Sequence, residues 1–337
     1  MSTHSIEIIE ITKILPHPNA DKMSITNVWG WQCCIGKDQF QIGDKAIYIP
    51  PDYVCSDLTI PELAFLKRKP EQIEARIKVA KLRGQLSQGL IVAIPDSLKH
   101  LPVGTNVINE LKIQRYEVPV PATTSGCFIS PPKDIFLPKF DLENYHRYDY
   151  IIKDDEEVII TEKLNGTNFR ICVAKNENDE FQFFAGTRNN WMKEDDVNVY
   201  WRCINQHPQL KAWAEANPEL ILYGENYGMV GGMKYGAKQN ELFFAAFAIY
   251  NPQENQWLDF DILQESVNKF NIQTAPVLYQ GPFNRQILLD LAEKDSVITG
   301  ANHLSEGCVV VPVQERTHQE IGRVALKCVS NRYLEKN

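Results

Sequence analysis

"TEKLNGTNFRI" (residues 161–171) decides how the second half of this chain reads. "EEVIITEKL" alternates around Val158, Ile160 and Leu164, and "NFRICVA" resumes the alternation after a Gly-Thr pair. That period of two is the mark of half-buried β-strands. Two such runs with a short Gly-containing link predict a hairpin with Lys163 at its mouth. A lysine there must be paired, reach out to solvent, or be used chemically. For an isolated Lys-x-x-Gly, a surface lysine on an edge strand is the ordinary reading.

On either side of this stretch the chain changes character. Residues 1–115 carry short β-runs ("IEIIEITKI", "MSITNVWGWQCCI", "KAIYIPPDYV", "GLIVAIP") separated by Gly, Pro, Asn and Asp turns. Such spacing predicts a small barrel, with "AFLKRKPEQIEARI" (64–77) as its one helical insert. A Pro-punctuated segment over 116–136 contains Pro119, Pro121, Pro131 and Pro132, and Pro138 follows; helices and central strands exclude such a run. This is the expected linker. Beyond it strands alternate with helical stretches: "EDDVNVYWRCINQ", "PQLKAWAEA", "DFDILQESVNKF" and "NRQILLDLAEK".

The 337 residues, 44 % of them hydrophobic, are enough for two packed cores. The net charge of −8 means that any nucleic-acid contact must come from a local basic surface. The start, "MSTHSIEIIEITKI", has no basic segment followed by an apolar run, and no stretch approaches the roughly 18–20 apolar residues of a membrane span. The eight cysteines are scattered, with neither zinc nor disulfide spacing. A reduced intracellular setting, the cytoplasm, is the expectation.

Further stretches follow Lys163 in a fixed order: "GTRNNW" (186–191), "LYGENYG" (222–228), "FFAAFAIYN" (243–251), "SEGCVVVP" (305–312) and "RVALKCVSNRYLEK" (323–336). With them, the chain resembles the covalent nucleotidyltransferase superfamily of ATP-dependent ligases and capping enzymes, and most closely its RNA ligase 2-like branch. "TEKLNGTNF" is similar to that branch's nucleophile motif, and "LPKFDLEN" (137–144) to the opening of its catalytic domain. The resemblance covers residues 137–337. Lys-x-x-Gly alone recurs by chance; the ordered set does not.

The chemistry accounts for these residue types. A lysine that attacks the α-phosphorus of ATP must be an unprotonated amine, against a reference pKa of about 10.4. Burial and a nearby divalent cation both push that value down. The resemblance implies that Lys163 forms a lysyl-AMP, that Glu225 holds the ribose and a metal, and that Glu306 holds Mg²⁺ or Mn²⁺. It further implies that Lys327 contacts the α-phosphate and Arg188 the ribose or acceptor strand, with Phe247 and Val309 on either side of adenine. Phe243, Ala245, Phe247 and Ile249 are expected on one strand face. Glu162, Leu164, Asn165, Gly166 and Asn168 complete the expected nucleotide site, Gly166 by leaving room for the nucleotide. Asn165, Ala248 and Val329 stand where relatives often carry Asp or His, Asp, and Lys.

In the first domain, "HPNADKMSITNVWGWQCCIGKDQFQIGD" resembles the opening of OB-type tRNA-binding modules. Lys67, Arg68, Lys69, Arg76, Lys78, Lys81 and Arg83 cluster in one segment, either a solvated flank or a strand-tracking groove. The expected fold class is α+β: an OB-like β-barrel (1–115), a linker (116–136), and a ligase-type nucleotidyltransferase domain (137–337) of antiparallel sheets flanked by helices. The expected activity is ATP-dependent sealing of 3′-OH/5′-phosphate RNA ends by a monomer, on nicked or duplex RNA with a DNA template also admitted. DNA ligation, GTP-dependent capping and a non-catalytic RNA-binding role are the alternatives. Domain order and "EKLNGTN" oppose the first two; the intact Lys163, Glu225, Glu306 and Lys327 oppose the third.

Overall fold

The computed structural model describes residues 5–116 and 127–336, and these form two compact units. Pro119 and Pro121 of the expected linker lie outside the described residues.

The first unit is built from short antiparallel strands. β1 (Glu7–Glu10), β2 (Met23–Val28), β3 (Trp31–Gly36), β4 (Lys45–Ile49), β5 (Tyr53–Cys55), β6 (Leu90–Val92) and β7 (Ile113–Arg115) are its main elements. β4 lies between β1 and β6, and its alternate residues feed two cores, Ile47 and Ile49 into one and Ala46 and Tyr48 into the other. The expected helix over 64–77 is absent. A single 3₁₀ segment, Pro61–Leu66, stops short, and Ala75–Arg76 pairs with β5 instead. Pro70 explains the difference, because a proline inside a helix removes a donor and clashes with the preceding turn.

Among the described residues the second unit holds two large sheets and a two-stranded one, Thr317–His318 with Gly322–Arg323. β8 (Glu157–Glu162) belongs to a five-stranded sheet with β13 (Val277–Pro282), β14 (Gly307–Pro312) and β15 (Leu326–Val329). β9 (Thr167–Lys175), β10 (Phe181–Gly186), β11 (Ile221–Gly228) and β12 (Leu242–Asn251) belong to a seven-stranded sheet. β8 and β9 therefore do not form the expected hairpin. Lys163–Gly166 is the crossing from one sheet to the other.

Four helices come from the four predicted segments. α1 (Val199–Gln206) starts later than expected because the Asn198 side chain accepts hydrogen bonds from the Tyr200 and Trp201 amides, at 3.1 and 2.9 Å. α2 (Gln209–Ala216) and α3 (Phe260–Asn268) join it over the seven-stranded sheet, burying Trp201, Trp213 and Leu263 against Phe169, Ile171 and Phe244. α4 (Arg285–Ala292) packs Leu288 and Leu291 on Val158, Ile160 and Val310 of the five-stranded sheet. A last short helix, α5 (Asn331–Lys336), follows β15.

One expectation about β12 is corrected. The register shifts between Tyr223 and Gly224, whose partners are Ala248 and Ala246, so Phe247 is an extra residue bulged out of the ladder. The bulge reverses the alternation. Ile249 packs with Leu242, Phe244 and Ala246 in the main core, on the face opposite Phe243 and Ala245.

The pairing of β14 with β15 sets the position of Glu306, one residue before β14. Gly307 has φ +139°, and a Cβ there would stand 2.1 Å from the Cys328 carbonyl oxygen. Gly307→Ala is expected to destabilise this unit by about 1–3 kcal/mol, as an overpacked core does. A thermal-melting midpoint equal to wild type would contradict the close approach.

Candidate active site

Local structure holds both ends of the crossing. Glu162, the last residue of β8, is buried; its Oε2 accepts the Val297 amide at 3.0 Å, so this carboxylate fastens a loop. The Lys163 amide donates to the Gly307 carbonyl at 3.0 Å, extending the β8–β14 pairing by one residue. Leu164 is buried in a small cluster with Tyr227, Tyr235 and Ala245. A Cβ on Gly166 would meet the Asn226 carbonyl oxygen at 2.2 Å. The nearest demand for glycine at 166 is thus the protein's own β11.

With its backbone fixed, Lys163 turns its amine to Glu306, and Nζ is ion-paired with Oε1 of that carboxylate. Glu225, in the middle of β11, is the second carboxylate acting on that amine. Burial pushes the Lys163 amine down, but Glu306 and then Glu225 outweigh it and hold the amine above its usual value. Two carboxylates acting on one ammonium thus outweigh its burial. Glu225 itself is pushed up to about 8, first by burial and then by Glu306; Lys163 and a backbone hydrogen bond from Gly166 oppose the rise.

Asn165 ties the cluster together. Its amide N–H donates to Tyr235 Oη at 2.7 Å, and its Oδ1 accepts the Gly232 amide at 3.0 Å. Its Nδ2 donates to Glu306 Oε2 at 3.3 Å and to Tyr333 Oη at 3.0 Å. Asn168 lies opposite Glu225 in the ladder, and its Oδ1 is buried with no hydrogen-bond partner among the described residues. The neighbouring Thr167 Oγ1 meets Tyr200 Oη at 2.8 Å.

Val309 and Lys327 are cross-strand partners on β14 and β15. Both are half-buried, whereas their neighbours Cys308, Val310, Leu326 and Cys328 enter the core beneath. Arg188 and Phe247 meet the segment 137–144: Arg188 is ion-paired with Asp141, and the Phe247 ring lies 4.3 Å from that of Phe140. Lys163, Asn165, Glu225 and Glu306 therefore make one interacting group. Val309 pairs directly with Thr161 at the end of β8, beside that group.

Sequence reasoning missed Tyr200, Tyr235, Tyr333 and the Arg188 partner Asp141. Asp141 was within reach, since it sits inside "LPKFDLEN". The tyrosines left no signal, because periodicity speaks of neighbours along the chain and Asn165 and Tyr333 are 168 residues apart.

An amine aimed at two carboxylates suits one covalent chemistry well: capture of a phosphoryl-linked group with a cation's help. Capture of that kind is the chemistry of covalent nucleotidyl-transfer enzymes. The family is narrower, since a family model described as RNA ligase matches residues 156–329, more than half of the chain, which belongs to that family. A second model, described as an OB-fold domain, matches residues 5–94, so the first unit is an OB fold. Solved structures of Naegleria gruberi RNA ligase match over almost the whole length. A variant of it with ATP and Mn has a TM-score of 0.81 and 25 % identity, covering 99 % of each chain. A variant of its R4a form without ligand has a TM-score of 0.81 and 26 % identity, covering 99 % of this chain and 98 % of that one. No curated protein matches.

Because folding raises the Glu225 pKa from 4.5 to about 8, the folded state holds a proton that the unfolded chain has released. The metal-free protein should lose stability as pH rises from about 5 to 8. Glu225→Gln should flatten that slope. Equal slopes for variant and wild type in denaturant titrations would contradict the burial of this carboxylate.

Proposed function

We propose that this ATP-dependent RNA ligase uses Lys163 as its nucleophile, with Glu306 and Glu225 arranged to make that amine usable. The observation that carries the reading is the Lys163–Glu306 pair beside Glu225. The Lys163 nitrogen attacks the α-phosphorus of ATP, the bond to the β-phosphate oxygen breaks, and pyrophosphate leaves. The resulting lysyl-AMP passes its AMP to an RNA 5′-phosphate. A 3′-hydroxyl then attacks that phosphate, AMP departs, and a phosphodiester remains.

Two carboxylates at one amine are hard oxygen donors and fit Mg²⁺ or Mn²⁺. When bound, such an ion supplies the positive charge that lowers the amine pKa and neutralises phosphate oxygens. The chain's own residues do the rest. Glu306 orients the amine, Glu225 also reaches the ribose, and Lys327 places a fixed cation at the α-phosphate. Phe247 and Val309 flank adenine, Arg188 serves the ribose or acceptor strand, and Glu162, Leu164, Asn165, Gly166 and Asn168 shape the nucleotide pocket. One chain carries the whole set, which supports a monomer. All eight cysteines are free thiols, and we place the protein in the cytoplasm. Among the described residues, no helix is long and apolar enough to cross a membrane.

We divide the labour as 1–115 for RNA, 116–136 as connection and 137–337 for adenylylation and sealing of nicked or duplex ends, a DNA template included. Lys67, Arg68, Lys69 and Lys78 are exposed. Arg76 is held by Asp52 at 2.5 Å, and its guanidinium lies 3.6 Å from the Tyr116 ring centroid, so it is less available to phosphates.

Substitutions in each unit test this division. Glu306→Gln keeps the shape and removes the charge, and the rate of labelled-AMP incorporation from ATP should fall about 100-fold, as when a preorganised transition-state partner is removed. A rate within twofold of wild type would remove Glu306 from the chemistry. Neutralising Lys67, Arg68, Lys69 and Lys78 should weaken RNA binding and reduce its salt slope by about 0.7 log units for each RNA phosphate no longer neutralised. An unchanged slope in filter binding would make that run a solvated flank.

A further inference from the structure

We infer that Tyr333, on the C-terminal helix, is a positioning residue for adenylylation: through Asn165 it fixes the Glu306 carboxylate that holds the Lys163 amine. The inference rests on the proposed role of Lys163 and adds a residue to it.

The Asn165 amide can be oriented without ambiguity. Its Oδ1 accepts the Gly232 N–H, so Nδ2 must be the donor on the other side. Nδ2 carries two hydrogens and has two acceptors, Tyr333 Oη at 3.0 Å and Glu306 Oε2 at 3.3 Å. Glu306 Oε1 holds Lys163. The carboxylate is therefore gripped at both oxygens, and one grip depends on the plane of the Asn165 amide. Gly232 and Tyr333 fix that plane from opposite atoms. When Lys163 leaves Glu306 to attack phosphorus, the contact to Asn165 is what keeps the carboxylate in place.

The tyrosine is itself firmly placed. The Ser330 amide donates to the Glu306 carbonyl at 3.0 Å, so the chain entering α5 is bonded to the backbone of the residue that α5 serves. Ser330 Oγ donates to Glu293 at 2.9 Å and accepts the Tyr333 amide at 3.1 Å. Glu293, just past α4, also accepts the Asn331 amide at 2.7 Å. These bonds satisfy the first N–H groups of a helix too short to hold itself in water. The ring reaches the site from an anchored base, and its hydroxyl accepts from Asn165 Nδ2.

The test is a double-mutant cycle on lysyl-AMP formation with labelled ATP and Mn²⁺, using the full chain. Tyr333→Phe keeps the ring and removes the hydroxyl. It should slow adduct formation at saturating ATP about tenfold, the size of one well-placed hydrogen bond, while KM for ATP stays within about twofold. Asn165→Ala should slow it at least as much. The double variant should be no slower than Asn165→Ala alone, because the inferred path from the hydroxyl runs through that amide. Thermal melting of each variant reports on folding, and Tyr333→Phe should melt with wild type. A wild-type rate for Tyr333→Phe would overturn the inference. So would multiplied defects in the double variant, or a defect confined to KM. Failure of the wild-type protein to form an adduct at Lys163 would instead overturn the underlying reading.

Discussion

Two carboxylates facing a single ammonium is the constraint around which the second unit is organised. Glu225 comes from the seven-stranded sheet, Glu306 precedes a strand of the five-stranded sheet, and Lys163 lies on the crossing between them. Buried charges of this kind must be paired: Glu306 pairs the amine, and burial pushes Glu225 toward its neutral form. Glu306 and Glu225 together hold the amine above its usual value, and burial first, then Glu306, drives Glu225 up. A divalent cation held by these carboxylates would act on the amine in the opposite direction.

The surrounding fold serves this geometry. β14 and β15 carry Val309 and Lys327 side by side, and a glycine at 307 allows their backbones to approach. Asn165 links the crossing to the 229–235 loop through Gly232 and Tyr235, and to the chain end through Tyr333. Asn165 is thereby bonded to two side chains more than a hundred residues away, Glu306 and Tyr333. Such distant anchoring suits a group that must be placed to within about half an ångström to be useful.

Much of this was readable in the sequence, for identifiable reasons. Lys163, Glu225 and Glu306 stand in an ordered series of motifs, and the four longer helices fall within the four helical stretches expected. The hairpin reading failed because alternation reveals a strand but not its partner, and β8 and β9 pair in different sheets. The shared face of Phe243 and Ile249 failed because a bulge leaves no mark on a pattern of apolar residues. The helix at 64–77 failed at Pro70, a breaker the pattern should have respected. The direction of the Lys163 shift depended on where two carboxylates met in space, which no linear reading gives.

Peptide mapping of the protein after incubation with ATP and Mn²⁺ tests the central claim most directly. The account predicts one AMP adduct, on the Lys163 side chain, formed from ATP and reversed on addition of pyrophosphate. It also predicts that the adduct is absent when the divalent ion is withheld. An adduct on another residue, or equal formation without the ion, would contradict it.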